Sequence, residues 1–117
     1  MEKWLLGFDI GGTKCAAILG KEDNGKITVV KKSVFATKEF PSPFACIENF
    51  SNEAEKLLAS FPDAVPEAIG ISCGGPLDSC AGIIMSPPNL PGWDDIHICE
   101  ILEKRPAKGL HSPTPVL

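Results

Sequence analysis

The sequence has little that would place it outside the soluble globular proteins. No apolar run approaches the ~20 residues that a membrane helix needs. A strand-like run begins almost at the first residue, with no signal-peptide pattern before it. Basic residues are not in excess. The net charge is −4, so no nucleic-acid surface is indicated. The five cysteines include no C-x-x-C pair and their number is odd, which favours neither a disulfide framework nor a zinc site. Three of them lie in apolar segments and read as small core residues. A reducing cytoplasm is therefore the expected compartment. The two best-known phosphate loops are missing as well. Neither G-x-G-x-x-G nor G-x-x-x-x-G-K-[ST] occurs.

The chain does contain 117 residues, 44% of them hydrophobic and 22% charged, enough for one domain with a modest core. Its organising stretch is Asp9-Ile10-Gly11-Gly12-Thr13-Lys14. Apolar runs flank it, at residues 4–8 and 15–19. Both are short and bounded by turn residues, so both read as strands. The glycine pair then makes a hairpin turn. Glycine tolerates positive φ and lets a ligand approach the backbone. Successive N–H groups in such a turn form an anion-binding nest. Thr13 adds a hydroxyl and Lys14 a cation. Asp9, at a strand end, suits hydrated magnesium, which keeps several waters and takes few protein carboxylates.

Asn24-Gly25 predicts a second hairpin. Strands are expected near residues 4–10, 13–20 and 27–36, as an antiparallel meander. Lys31 and Lys32 in the third suggest an edge strand. Ser42-Pro43 starts a helix that Pro62 ends, with Phe44, Ile47, Phe50, Ala54, Leu57, Leu58 and Phe61 as its apolar stripe. Residues 68–72 read as a buried strand parallel to the first, reached by a right-handed crossover. Gly74-Gly75-Pro76 follows at a strand's carboxyl end, where open α/β sheets bind ligands. Residues 82–85 make a further short strand. Residues 87–93 are proline-rich and carry Asn89, whose amide suits a pair of sugar hydroxyls. A plain surface turn fits that stretch equally well. Asp94 or Asp95 is expected to cap a last helix carrying His97, Ile98, Ile101 and Leu102. The tail after residue 103 has three prolines and no periodicity.

Residues 7–14, Gly-Phe-Asp-Ile-Gly-Gly-Thr-Lys, resemble the first phosphate motif of the ROK sugar kinases (repressor, open reading frame, kinase). These belong to the sugar kinase, actin and Hsp70 ATPase superfamily. Residues 70–78 and 86–93 resemble the same family, and the three motifs stand in its order. The resemblance covers about residues 4–103. It implies an α/β, ribonuclease-H-like ATPase lobe: a mixed sheet that begins with the three-stranded meander, with helices packed on it. It also implies a division into an N-terminal kinase lobe, 1–103, and an irregular tail, 104–117.

The activity it implies is ATP-dependent phosphorylation of a hexose. ATP and magnesium are the implied cofactors. Asp9 would hold the metal, with Gly11, Gly12, Thr13 and Lys14 cradling phosphates. Gly75, Pro76 and Asn89 would line the sugar, and Trp93 would support that loop by packing. The family's catalytic base lies in a Glu-Asn-Asp-Ala-Asn type motif. That motif, the second phosphate motif, the adenosine pocket and the Cys/His zinc cluster are not in this sequence. The expectation is a truncated lobe, inactive alone, that associates with itself through uncovered apolar surface. A sugar-sensing piece of a ROK transcriptional regulator is the alternative. An interaction module of the wider superfamily is a third reading, disfavoured by the two sugar-kinase loops.

Overall fold

The computed structural model describes residues 2–73, 77–78, 83–85, 90 and 92–104. Strand β1 is Lys3–Ile10, β2 is Lys14–Asp23 and β3 is Lys26–Ala36. A single 3-10 turn, Thr37–Glu39, leads to helix α1, Pro43–Ala59. Strand β4, Pro66–Cys73, completes the main sheet in the order β3-β2-β1-β4. The first three strands form the expected antiparallel meander, and β4 lies parallel to β1. Between β2 and β3 the chain turns at Asn24 (φ 51°) and Gly25 (φ 81°). Two successive positive φ values are what a tight hairpin needs.

The period of two sorts the strands. Leu6, Phe8 and Ile10 of β1 and Cys15, Ala17 and Leu19 of β2 are buried. They share a core with Cys46, Ile47, Phe50, Ala54, Leu57 and Leu58 of α1. Phe50 is the centre of that contact. Its ring lies 4.9 Å from both Phe8 and Phe35. Ser42 caps α1 by accepting from the Ala45 amide at 3.2 Å, and Pro43 opens it. Phe44, expected in the apolar stripe, is instead 60% exposed, and Cys46 is buried in the core. The buried stripe starts at Cys46 and Ile47.

β3 is an edge strand, as its lysines suggest, yet Ile27, Val29 and Val34 along it are exposed. β4 departs from the expected buried strand. Gly70 and Ser72 within it are exposed, on the face that Asp9 shares.

Two short strands, β5 (Leu77–Asp78) and β6 (Ile83–Ile84), pair with each other rather than extending the main sheet. Helix α2 is Ile98–Lys104. Neither Asp94 nor Asp95 begins it, and His97 precedes it. Ile84 and Ile96 exchange backbone hydrogen bonds of 2.8 and 2.9 Å. That bridge holds the chain extended through Ile96. Asp95, at φ 51°, is part of the bend before it. His97 O then accepts the first helical bond, from Ile101 N at 3.0 Å. Among the described residues no helix is long and apolar enough to cross a membrane.

Candidate phosphate turn at the carboxyl edge of the sheet

Residues 11–13 join β1 to β2 at the carboxyl end of β1. Parallel pairing sets the end of β4 beside them. Ile10 stands in register with Cys73, and Asp9 with Ser72. Phe8 and Ile10 are buried on the α1 side, so Asp9 takes the other face and is exposed. Ser72, exposed on the neighbouring strand, is its polar neighbour in register. Thr13 and Lys14 are exposed too. The turn therefore presents a carboxylate, a hydroxyl and an ammonium to solvent within six residues.

The glycines work differently from the sequence expectation. Positive φ occurs at Gly25 and Gly92, not at Gly11 or Gly12. Gly11 is required by close approach instead. A Cβ there would lie 2.6 Å from the carbonyl oxygen of Lys14. The Gly11 amide donates to that same oxygen at 3.1 Å. It is spent inside the turn. Gly12 and Thr13 complete the turn between that amide and Lys14.

Thr37 holds this geometry, and sequence reasoning missed it. Its amide donates to Thr13 O at 3.0 Å and its hydroxyl to Gly11 O at 2.7 Å. One buried residue thus clasps both ends of the turn. The signal was topological. Ala36 pairs with Lys14, so the next residue lies against the turn, and a threonine there is in reach.

Beneath the clasp lie two thiols. Cys15 Sγ is 3.2 Å from Thr37 Oγ1 and 3.9 Å from Cys46 Sγ. Donation from the Cys46 S–H lowers the Cys15 thiol below its ordinary range against the opposing effect of burial. Cys46 is pushed above the ordinary thiol range by the same contact and by burial.

Of the sequence-expected site residues, Asp9, Gly11, Gly12, Thr13 and Lys14 come together in this turn. Gly75, Pro76 and Asn89 lie outside the described residues. Trp93 is buried in the core, its amide on Leu90 O at 3.1 Å. Among the described residues no group of three or more His, Cys, Asp or Glu is placed to hold a metal. Asp9 alone fits an ion that keeps its water, not a dehydrated protein cage.

No family model matches the chain. It is 31% identical over 109 residues to the glucokinase of Thermotoga maritima, covering 89% of this chain and 31% of that one. The likeness is to the ROK sugar kinases. The chain spans about a third of the length of that curated relative. The crystal structure of glucokinase from Parabacteroides distasonis superposes with a TM-score of 0.70 at 25% identity, over 92% of this chain and 29% of that one. A ROK family transcriptional regulator, a homologue of the E. coli MLC protein, superposes at 0.71 with 19% identity, over 97% of this chain and 26% of that one. The last likeness is one of fold alone. The α/β, ribonuclease-H-like lobe with its opening meander is common to all of them.

Proposed function

We propose that this chain is the phosphate- and sugar-side lobe of an ATP-dependent hexose kinase. The observation that carries the reading is the exposed Asp9–Lys14 turn, clasped by Thr37 where β1 and β4 end together. The Gly12 and Thr13 amides and the Lys14 ammonium bind phosphate oxygens. Asp9 holds hydrated magnesium, which when bound neutralises phosphate charge. Gly75, Pro76 and Asn89 contact the sugar. The regulator reading rests on fold alone, whereas the glucokinase likeness also extends through the sequence.

Phosphoryl transfer is mainly positioning and charge stabilisation. This chain carries the phosphate turn but no Glu-Asn-Asp-Ala-Asn type base. A positioned base contributes ~10²–10⁴ in rate, and correct orientation roughly 7–11 kcal/mol of barrier. The chain by itself therefore binds Mg·ATP weakly and does not phosphorylate sugar. It associates through the exposed apolar residues of β3, Ile27, Val29 and Val34.

Amide NMR during Mg·ATP titration tests the turn. The expected result is movement of the Gly12 and Thr13 resonances, lost in Asp9→Ala and Lys14→Ala. A folded spectrum in which neither moves refutes the assignment. A coupled assay with a panel of hexoses tests the rest. Turnover that vanishes in Asp9→Ala would overturn the claim of inactivity.

A further inference from the structure

The phosphate-binding reading makes no use of Cys15 and Cys46. Both side chains are 1% exposed, and they come from elements 31 residues apart in sequence. Cys15 opens β2, directly after Lys14. Cys46 lies in the first turns of α1. Their sulfurs, 3.9 Å apart, need to close to the ~2.05 Å of a disulfide.

We propose that Cys15 and Cys46 form an oxidation site, which a hydroperoxide converts to an intrachain disulfide stapling the start of β2 to α1 beneath the phosphate turn. The chemistry balances with hydrogen peroxide as oxidant. The Cys15 thiolate attacks one peroxide oxygen. The S–O bond forms, the O–O bond breaks, and the departing hydroxide takes up the proton released by Cys15 to leave as water. Cys46 Sγ then attacks Cys15 Sγ. The S–S bond forms, the S–O bond breaks, and the hydroxyl leaves with the Cys46 proton as a second water. Two thiols lose two electrons and one peroxide gains them.

Three features assign the order of attack. Cys15 has two hydrogen-bonding groups beside its sulfur, Thr37 Oγ1 and Cys46 Sγ. A thiolate, not a thiol, is the nucleophile. When Cys15 ionises, the Thr37 proton can turn from Gly11 O to the sulfur. Asp9 is the other charge felt at Cys15, and Cys73 feels those of Cys15 and Asp9. Burial lowers the susceptibility of both thiols, so the oxidant has to be small rather than a bulky disulfide. The linkage reaches the turn because Gly11 O contacts both Thr37 Oγ1, at 2.7 Å, and Cys15 Sγ, at 3.8 Å.

Tryptic mapping tests this directly, because the cleavage sites isolate the pair. Peptide 15–21 holds only Cys15, and peptide 39–56 only Cys46. The other three cysteines share peptide 57–104. The full chain is reduced, treated with a small excess of hydrogen peroxide, alkylated and digested. The expected product is 15–21 linked to 39–56. It should form in roughly tenfold higher yield than in urea, where the loop must close by diffusion. In Cys46→Ser, dimedone added with urea after the peroxide is quenched should trap a sulfenic acid on peptide 15–21. In Cys15→Ser it should trap none on 39–56. Three results overturn the proposal. They are that peptide 15–21 stays reduced, that it links instead to 57–104, or that the native linkage forms equally well in urea.

Discussion

Replacing Gly11 with alanine asks whether the phosphate turn is closed by contact or by backbone freedom. The new Cβ would sit 2.6 Å from Lys14 O, well inside the 3.4 Å at which ordinary contact begins. The opposing atom is backbone, in a strand paired on both sides, so it has little room to withdraw. Overpacking of this kind costs about 1–3 kcal/mol. Relieving it opens the 3.1 Å bond from Gly11 N to Lys14 O, worth about 0.5–1.5 kcal/mol. Alanine returns about 0.4–1 kcal/mol by stiffening the unfolded chain. The net is a loss of about 0.5–4 kcal/mol, with a midpoint of about 2 kcal/mol. For a domain of this size that lowers the melting temperature by roughly 10 °C. Gly70→Ala is the control. Its Cβ would meet nothing closer than Leu6 O at 4.0 Å. Thermal unfolding followed by circular dichroism should show a large drop for Gly11→Ala and almost none for Gly70→Ala. Equal melting temperatures for the two variants would refute the contact argument.

Thr37→Val keeps the shape of the side chain but leaves Gly11 O without its hydroxyl donor. Urea unfolding should show a loss of about 1–3 kcal/mol, and Thr37→Ser should recover most of it. Phe50→Ala empties the space between Phe8 and Phe35, and a loss of about 3–5 kcal/mol is expected. That is enough to leave much of the chain unfolded without denaturant, which a fluorescence or dichroism titration will read. Glu53 is held below its ordinary carboxylate range, first by the Ser33 hydroxyl at 2.7 Å and then by Lys56. Because its folded value is depressed, its stabilisation is complete above the unfolded value and is lost as pH falls through the folded one. Ser33→Ala should therefore flatten the acid limb of a stability–pH curve and leave its neutral region nearly parallel to wild type.

Much of the fold was legible because its signals are local. Asn24-Gly25 sets a hairpin through two positive φ values. Ser42-Pro43 sets a helix start through one side-chain bond and one fixed φ. The alternation of Leu6, Phe8 and Ile10 with Gly7 and Asp9 fixes which face of β1 is core. What the sequence misplaced depends on distant pairing. The start of α2 was put at Asp94 or Asp95 by capping chemistry, which is sound in isolation. The Ile84–Ile96 bridge overrides it by holding the chain extended for two more residues. Phe44 fits helical spacing, but spacing does not say where the buried stripe starts.

The site shows the same division one level up. Its residue types were legible: an acid, glycines, a hydroxyl and a cation in six positions. The way they are held was not. The hexapeptide does not specify that the Gly11 amide turns inward onto Lys14 O. That depends on Thr37, 26 residues from Gly11, which reaches the turn because Ala36 pairs with Lys14. Register is therefore the step between motif and chemistry. A one-residue slip of β3 against β2 would move every β3 side chain to the opposite face. It would take the Thr37 hydroxyl from Gly11 O and its amide from Thr13 O, with the hexapeptide unchanged. The phosphate turn belongs to the three-stranded meander as a whole, and the bulge between Leu19 and Gly20 is part of what sets it.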